Sequence, residues 1–165
     1  MQVLPSEMSL GVITFYSAQR DAIYEALSAS KYGITEGAEG GWLIKPSVAS
    51  NAICQERLRI GTVDAFQGKE FDVVLLSTVR SNKVKLVDPL DESDESQLEA
   101  FDKQASSKFG HLRSVNRLNV AMSRQRRYLL AIGDAEMYRG ELASKAVPEM
   151  CEFLELCEME SRRVN

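Results

Sequence analysis

Residues that usually advertise chemistry or compartment are scarce in this 165-residue chain. There is one histidine, His111, and no partner stands at a spacing typical of a metal site or a triad, so it reads as a structural or solvated loop residue. The three cysteines, Cys54, Cys151 and Cys157, are odd in number and form no CxxC pair. That argues against a disulfide framework or a zinc site and fits reduced thiols in a cytoplasmic or nuclear protein. No apolar run approaches the ~20 residues that span a bilayer. The first thirty residues lack the basic start and apolar core of a secretory leader. No membrane partner is therefore expected. A repeat array is not expected either, because no internal period is found.

Apolar residues make up 44% and charged residues 27% of the chain, enough to bury one globular core. The net charge of −4 argues against a basic nucleic-acid coat, but it averages two opposed segments. Leu86 to Lys103 holds seven acids (Asp88, Asp91, Glu92, Asp94, Glu95, Glu99, Asp102) and one lysine. Lys108 to Tyr128 holds six bases (Lys108, Arg113, Arg117, Arg124, Arg126, Arg127) and no acid. Concentrated positive charge inside an acidic chain points to a local anion site.

Hydrophobic patterning predicts strands at 11–15, 57–63, 73–79 and 128–132, with a further short one at Trp42–Ile44 inside a glycine-rich loop over 32–50. The run 73–79 is almost continuously apolar, as in a strand covered on both faces, and 128–132 reads as equally buried. Helices are predicted over Ser17–Ser30, with Ser17 as N-cap, over Ser114–Met122, and over Val147–Glu160. The acidic stretch 83–107 reads as a mobile insertion with a short helix near Gln97–Gln104. Strand–helix alternation with buried strands predicts an α/β fold with a mostly parallel sheet.

Three stretches carry candidate chemistry. On an ideal helix Arg113, Arg117 and Arg124 fall within about 40° of one another, while Val115, Leu118, Ala121 and Met122 lie mostly elsewhere. An aligned guanidinium row suits phosphate, although surface arginines more often serve solubility. Residues 61–70 (GTVDAFQGKE) form a loop between two strands with two glycines, Asp64, Gln67, Lys69 and Glu70. Gly68 lets backbone approach a ligand closely. It is not a phosphate-binding P-loop, which requires glycine and serine or threonine where Val63 and Glu70 stand. An ordinary tight loop is the alternative. Residues 15–20 (FYSAQR) place polar groups at a strand's carboxyl end, where open α/β sheets bind ligands; a capped helix with a solvated Arg20 is the alternative.

In order, these stretches resemble motifs of superfamily 1 helicases. GVITFYSAQR (11–20) is similar to motif IV, GTVDAFQGKE (61–70) to motif V, and RLNVAMSRQR (117–126) to motif VI. The pattern is that of the 1B branch, which includes the helicase of nonsense-mediated RNA decay and the Okazaki-fragment nuclease-helicase. The resemblance covers roughly Leu10 to Met137, interrupted by 83–107. Phe15 departs from the proline common before the tyrosine of motif IV.

The resemblance implies a RecA-like fold, a three-layer sandwich with helices on both sheet faces and without its own P-loop. It implies that residues 1–165 form the second RecA-like domain of a helicase motor, with ATP and Mg²⁺ shared with a first RecA-like domain of the same parent protein and with single-stranded DNA or RNA as partner. By position, Arg20 and Arg124 would be the γ-phosphate arginines. Glu70 would contact the nucleotide ribose with Gly68 leaving room for it. Tyr16 and Gln19 would lie near the nucleotide. Thr62 and the segment Ser77, Thr78 and Arg80 would face the strand's phosphates. Walker A and B motifs are not found in the sequence, so the isolated chain is expected to lack ATPase activity and to be a domain of a longer protein. Unwinding would run 5′ to 3′. Two rivals remain at this stage: a stand-alone nucleic-acid-binding module, and an unrelated α/β enzyme using Asp64, Glu70 and His111.

Overall fold

A computed structural model describes residues 8–29, 34–36, 42–44, 58–91 and 93–164. The elements are β1 (Leu10–Thr14), α1 (Ser17–Ser28), β2 (Ile34–Glu36), β3 (Trp42–Ile44), β4 (Leu58–Thr62), β5 (Phe71–Ser77), α2 (Glu95–Phe109), α3 (Val115–Met122), β6 (Gln125–Ile132), α4 (Glu141–Ala146) and α5 (Pro148–Val164). Short 3-10 turns cover Val63–Phe66, Gly110–Arg113 and Ala135–Tyr138. Most of the predicted glycine-rich loop, Cys54 and Arg57 lie outside the described residues. The chain divides into two compact units, Met1–Val79 with Asn119–Ile132, and Arg80–Leu118 with Gly133–Asn165.

The first unit is built on a six-stranded sheet in the order β2-β3-β4-β1-β5-β6. Strands β4, β1, β5 and β6 run parallel, and β2 and β3 add an antiparallel margin. Thr14 stands level with Thr62 and Ser77, so three carboxyl ends share one edge. The predicted α/β, RecA-like sheet flanked by helices is what forms. Apolar β-branched sequence in β1 and β5 fits the two-sided burial of Ile13, Val74 and Leu76, all fully buried. Helix α1 lays Ile23, Tyr24 and Leu27 against Val12, Leu58 and Ile60, and the Tyr24 hydroxyl donates to the Ile60 carbonyl.

One ring explains the glycines of two motifs. Phe66 is fully buried and meets Phe71 at 5.4 Å between centroids, tilted by 60°. A Cβ on Gly11 would stand 2.8 Å from the Phe66 ring, and one on Gly61 would stand 2.9 Å from the Ala65 methyl and 3.3 Å from that ring. Phe66 thus occupies the volume two side chains would fill, wedging the turn Val63–Phe66 onto β1 and β4.

The second unit is organised by α2. Asp94 caps it, accepting from the Ser96 and Gln97 amides, and Gly110 ends it at φ +55°. The Ser96 hydroxyl, then the Gln97 side chain and the backbone amides, hold the Asp94 carboxyl below its ordinary range. Phe109 stacks on Tyr138 at 6.3 Å and 26°. Arg113 bonds the Asp102 carboxylate (2.6 Å), the Ser106 hydroxyl (2.6 Å) and the Ala146 carbonyl (3.4 Å), tying α2 to α4.

Several expectations are corrected. The N-cap of α1 is Tyr16, in extended geometry, and Ser17 is already helical. Strand β6 is not buried: it is the sheet's outer strand, with Tyr128, Leu130 and Ile132 half or more exposed. An apolar run records the chemistry of its side chains but not how many neighbours they find. The arginine row does not form, because α3 starts after Arg113 and ends before Arg124. Arg113 is instead a structural clamp. The helix within the acidic stretch is longer than expected, and α4 was not foreseen.

Candidate functional site

Parallel strands give the sheet two chemically different edges. The carboxyl edge carries Thr14, Thr62 and Ser77, each ending its strand. The amino edge begins with Phe71 beside Gln125. From the level of Ser77 to that of Phe71 is six strand steps, about 20 Å at ~3.3 Å per residue.

Glu70 and Arg124 meet at the amino edge. The Arg124 carbonyl accepts the Phe71 amide at 2.9 Å, which sets the start of β6 beside the start of β5. The Arg124 guanidinium donates to the Val120 carbonyl (3.0 Å), the Lys69 carbonyl (3.5 Å) and the Ser123 hydroxyl (2.8 Å). Two of its five N–H groups remain uncommitted by these bonds. It is half-buried and held in place from both the 61–70 loop and the end of α3. Gly68 precedes this point at φ +74°, a left-handed angle that excludes most residues, and a Cβ there would meet nothing within 4 Å. The space beside it is therefore open.

Sequence reasoning missed the neighbours that shape this edge. The Arg126 guanidinium lies 3.4 Å from the Glu70 carboxylate, both exposed. Arg127 lies 3.7 Å from Asp72. Asp72 accepts from the Ser9 amide and hydroxyl, both at 2.9 Å, and these bonds, backed by Arg127, hold its carboxyl below the usual range. The clue was the cluster of three arginines, Arg124, Arg126 and Arg127, at the end of motif VI and just beyond it.

Arg20 is not part of that cluster. It sits in the first turn of α1, which starts three residues after the carboxyl end of β1, and it pairs with Asp21 at 2.7 Å. Tyr16 and Gln19 lie in the same turn, the Tyr16 carbonyl accepting the Gln19 and Arg20 amides. The resemblance makes Arg20 and Arg124 partners on one γ-phosphate, but they stand at opposite edges of the sheet: a helix that leaves the carboxyl end of β1 starts at the edge away from Glu70 and Arg124.

At the carboxyl edge Thr62 and Ser77 are half-buried. Thr78 is buried, and its amide and hydroxyl both bond the Ile132 carbonyl (3.0 and 3.5 Å), so it secures β5 to β6 and presents no hydroxyl outward. Val79 follows at φ +63°, strained for a β-branched residue. Arg80 belongs to the second unit, where it donates to the Ser107 carbonyl at 3.0 Å. Among the described residues no group of three or more His, Cys, Asp and Glu is arranged to hold a metal ion. No described helix is long and apolar enough to cross a membrane.

A parallel sheet with a basic amino edge, reached through a loop reading GTVDAFQGKE, defines the class as a RecA-like α/β domain. A family profile described as an AAA domain matches residues 1–136. The chain is 38% identical over 97 residues to DNA polymerase alpha-associated DNA helicase A of Saccharomyces cerevisiae, covering 58% of this chain and 11% of that protein. It is 29% identical over 143 residues to the 5'-3' DNA helicase ZGRF1 of Mus musculus (87% and 5%), and 29% identical over 128 residues to Regulator of nonsense transcripts 1 of Caenorhabditis elegans (78% and 8%). The chain belongs to this AAA-domain family, as a superfamily 1 helicase RecA-like domain resembling the nonsense-mediated-decay branch. It spans about a tenth or less of the length of these relatives.

Proposed function

We propose that this chain is the second, C-terminal RecA-like domain of an ATP-dependent DNA or RNA helicase, in which Arg124 is the arginine finger. The observation carrying the reading is Arg124 held between the Lys69 and Val120 carbonyls, with Glu70 and the open side of Gly68 in the same loop. A guanidinium pre-set at a cleft edge meets the need of phosphoryl transfer for charge on the γ-phosphate oxygens. Glu70 accepts from the ribose of ATP once Arg126 yields it. A first RecA-like domain would hold Mg²⁺, which would supply positive charge to the phosphates of ATP. Supplying the finger across a cleft makes hydrolysis depend on closure, which then serves as the motor step. Arg20, Tyr16 and Gln19 have no nucleotide role in this scheme. Thr62 and Ser77 contact the single strand's phosphates at the other edge, with Arg80 beyond them.

The test joins this chain to a first RecA-like domain and measures strand-stimulated ATP hydrolysis for Arg124→Ala and Arg20→Ala. The expected result is collapse of turnover for the first and near-normal turnover for the second. Normal turnover in Arg124→Ala overturns the assignment.

A further inference from the structure

A second cationic feature lies wholly within the second unit, outside the cluster at Glu70 and Arg124. A pocket of about 380 Å³ opens between residues 83–86, the end of α2 and the turn Ala135–Tyr138 with α4. That volume is at the low end of the ~300–1,000 Å³ typical of small-ligand sites. Exposure alternates from Ser81 to Val87, with Lys83 and Lys85 exposed and Val84 and Leu86 half-buried, and all four line the pocket. Met137 and Ala143, both buried, form an apolar floor.

The pocket's wall is fixed by hydrogen bonds. The Asn82 side-chain amide donates to the Lys108 carbonyl (2.8 Å), the Lys108 ammonium donates to the Val84 carbonyl (2.9 Å), and the Val87 amide donates to Gln104 (2.9 Å). The Lys108 ammonium also lies 5.8 Å from the Phe109 ring centroid. An ammonium has three N–H groups, so Lys108 keeps two beyond the Val84 bond. Arg139, on the opposite wall, is engaged by Glu136 (3.1 Å) and Glu158. Among the described residues Lys83 and Lys85 make no hydrogen bond or ion pair. With Arg139 shared between two carboxylates, Lys83, Lys85 and Lys108 are the remaining cations of the lining, in a chain whose net charge is −4.

We propose that this pocket binds the phosphate of a nucleotide unit, supplied by a single strand or by a free mononucleotide, with sugar or base against the apolar floor. Ammonium point charges suit a phosphate that arrives in varied orientations. Lys83 and Lys85 also lie three and five residues after Arg80 in the sequence, and in favouring a strand as the source the inference rests on the reading given under Proposed function.

The test is methyl and amide NMR of the whole chain, titrated in turn with a short oligothymidylate, thymidine monophosphate, inorganic phosphate and oligoglutamate. It is run for wild type and for Lys83→Gln/Lys85→Gln, two exposed positions whose change leaves the melting point in place. The expected result is saturable movement of the Met137 and Ala143 methyls with oligothymidylate. In the double variant, affinity falls several-fold and the salt dependence of binding flattens by roughly 0.7 per lost phosphate contact. Tighter binding of the oligonucleotide than of the monophosphate identifies the strand as source; equal binding identifies the free nucleotide. Movement of the Thr62 and Ser77 amides with none at Met137 and Ala143 overturns the pocket and leaves the helicase reading standing. The reverse pattern upholds the pocket and removes the strand assignment at Thr62. Oligoglutamate binding as tightly as oligothymidylate overturns the nucleotide specificity, as does an unchanged salt dependence in the double variant.

Discussion

Replacing Arg124 by alanine removes three hydrogen bonds that tie the motif V loop to the end of α3. Each contributes on the order of 1 kcal/mol net, so a stability loss of about 1–3 kcal/mol is expected. An arginine finger carries a separate and larger signature, a fall of ~10³–10⁵ in turnover per folded molecule. Measuring melting point and turnover on one preparation separates the two roles. Arg124→Lys is expected to recover part of the stability and little of the rate, since an ammonium lacks the planar fork. Asp72 gives a pH signature on the same edge. Its folded-state pKa is depressed by the Ser9 hydrogen bonds, so its stabilisation is present above the unfolded value of about 3.9 and is lost as pH falls through the folded value. The melting point of wild type should drop as pH falls below about 4, and Asp72→Asn should start lower at neutral pH and drop less. Identical pH slopes would remove Asp72 from the account.

The elements were legible where sequence and environment agree. Strands β1, β4 and β5 and helix α1 followed from β-branched runs and helical spacing, and the motif order located Glu70 and Arg124. What failed was information held by neighbours. The apolar run of β6 could not show that it would be the outer strand. The angular match of Arg113, Arg117 and Arg124 assumed one helix, whereas Gly110–Arg113 is a 3-10 turn and Arg124 follows the helix. Arg20 was assigned by motif alone, and only strand direction separates it from Arg124. The acidic stretch illustrates the same limit: its apolar content is thin, yet Asp94 caps a helix and Arg113 clamps it. We propose that the mobility expected over 83–107 is confined to 88–91, where Leu90 is almost fully exposed. Hydrogen exchange should show protected amides over 99–109 and rapid exchange over 88–91. Slow exchange at 88–91 would reject that division.

At the scale of the whole molecule, the parallel sheet separates two proposed tasks, nucleotide at the amino edge and single strand at the carboxyl edge. The chain alone is expected to hydrolyse no ATP above background, because Arg124 and Glu70 supply only one side of such a site. Magnesium-dependent turnover by the purified 165-residue chain would refute this. Phe66→Ala should destabilise by about 3–5 kcal/mol, as buried phenylalanines do, and loosen both edges together. The two connections flanking β5 also differ in slack. Residues 63–70 leave β4, pass beyond β1 and begin β5 at the opposite edge, a diagonal of about 22 Å from strand rise and spacing. One 3-10 turn and five extended steps reach only about 25 Å. Residues 78–124, by contrast, already accommodate α2 and much of a second compact unit. Length is therefore a heritable constraint in one link and a free variable in the other. A reporter peptide spliced in at Asp91 should be carried silently, whereas one residue added at Gln67 should misalign the sheet.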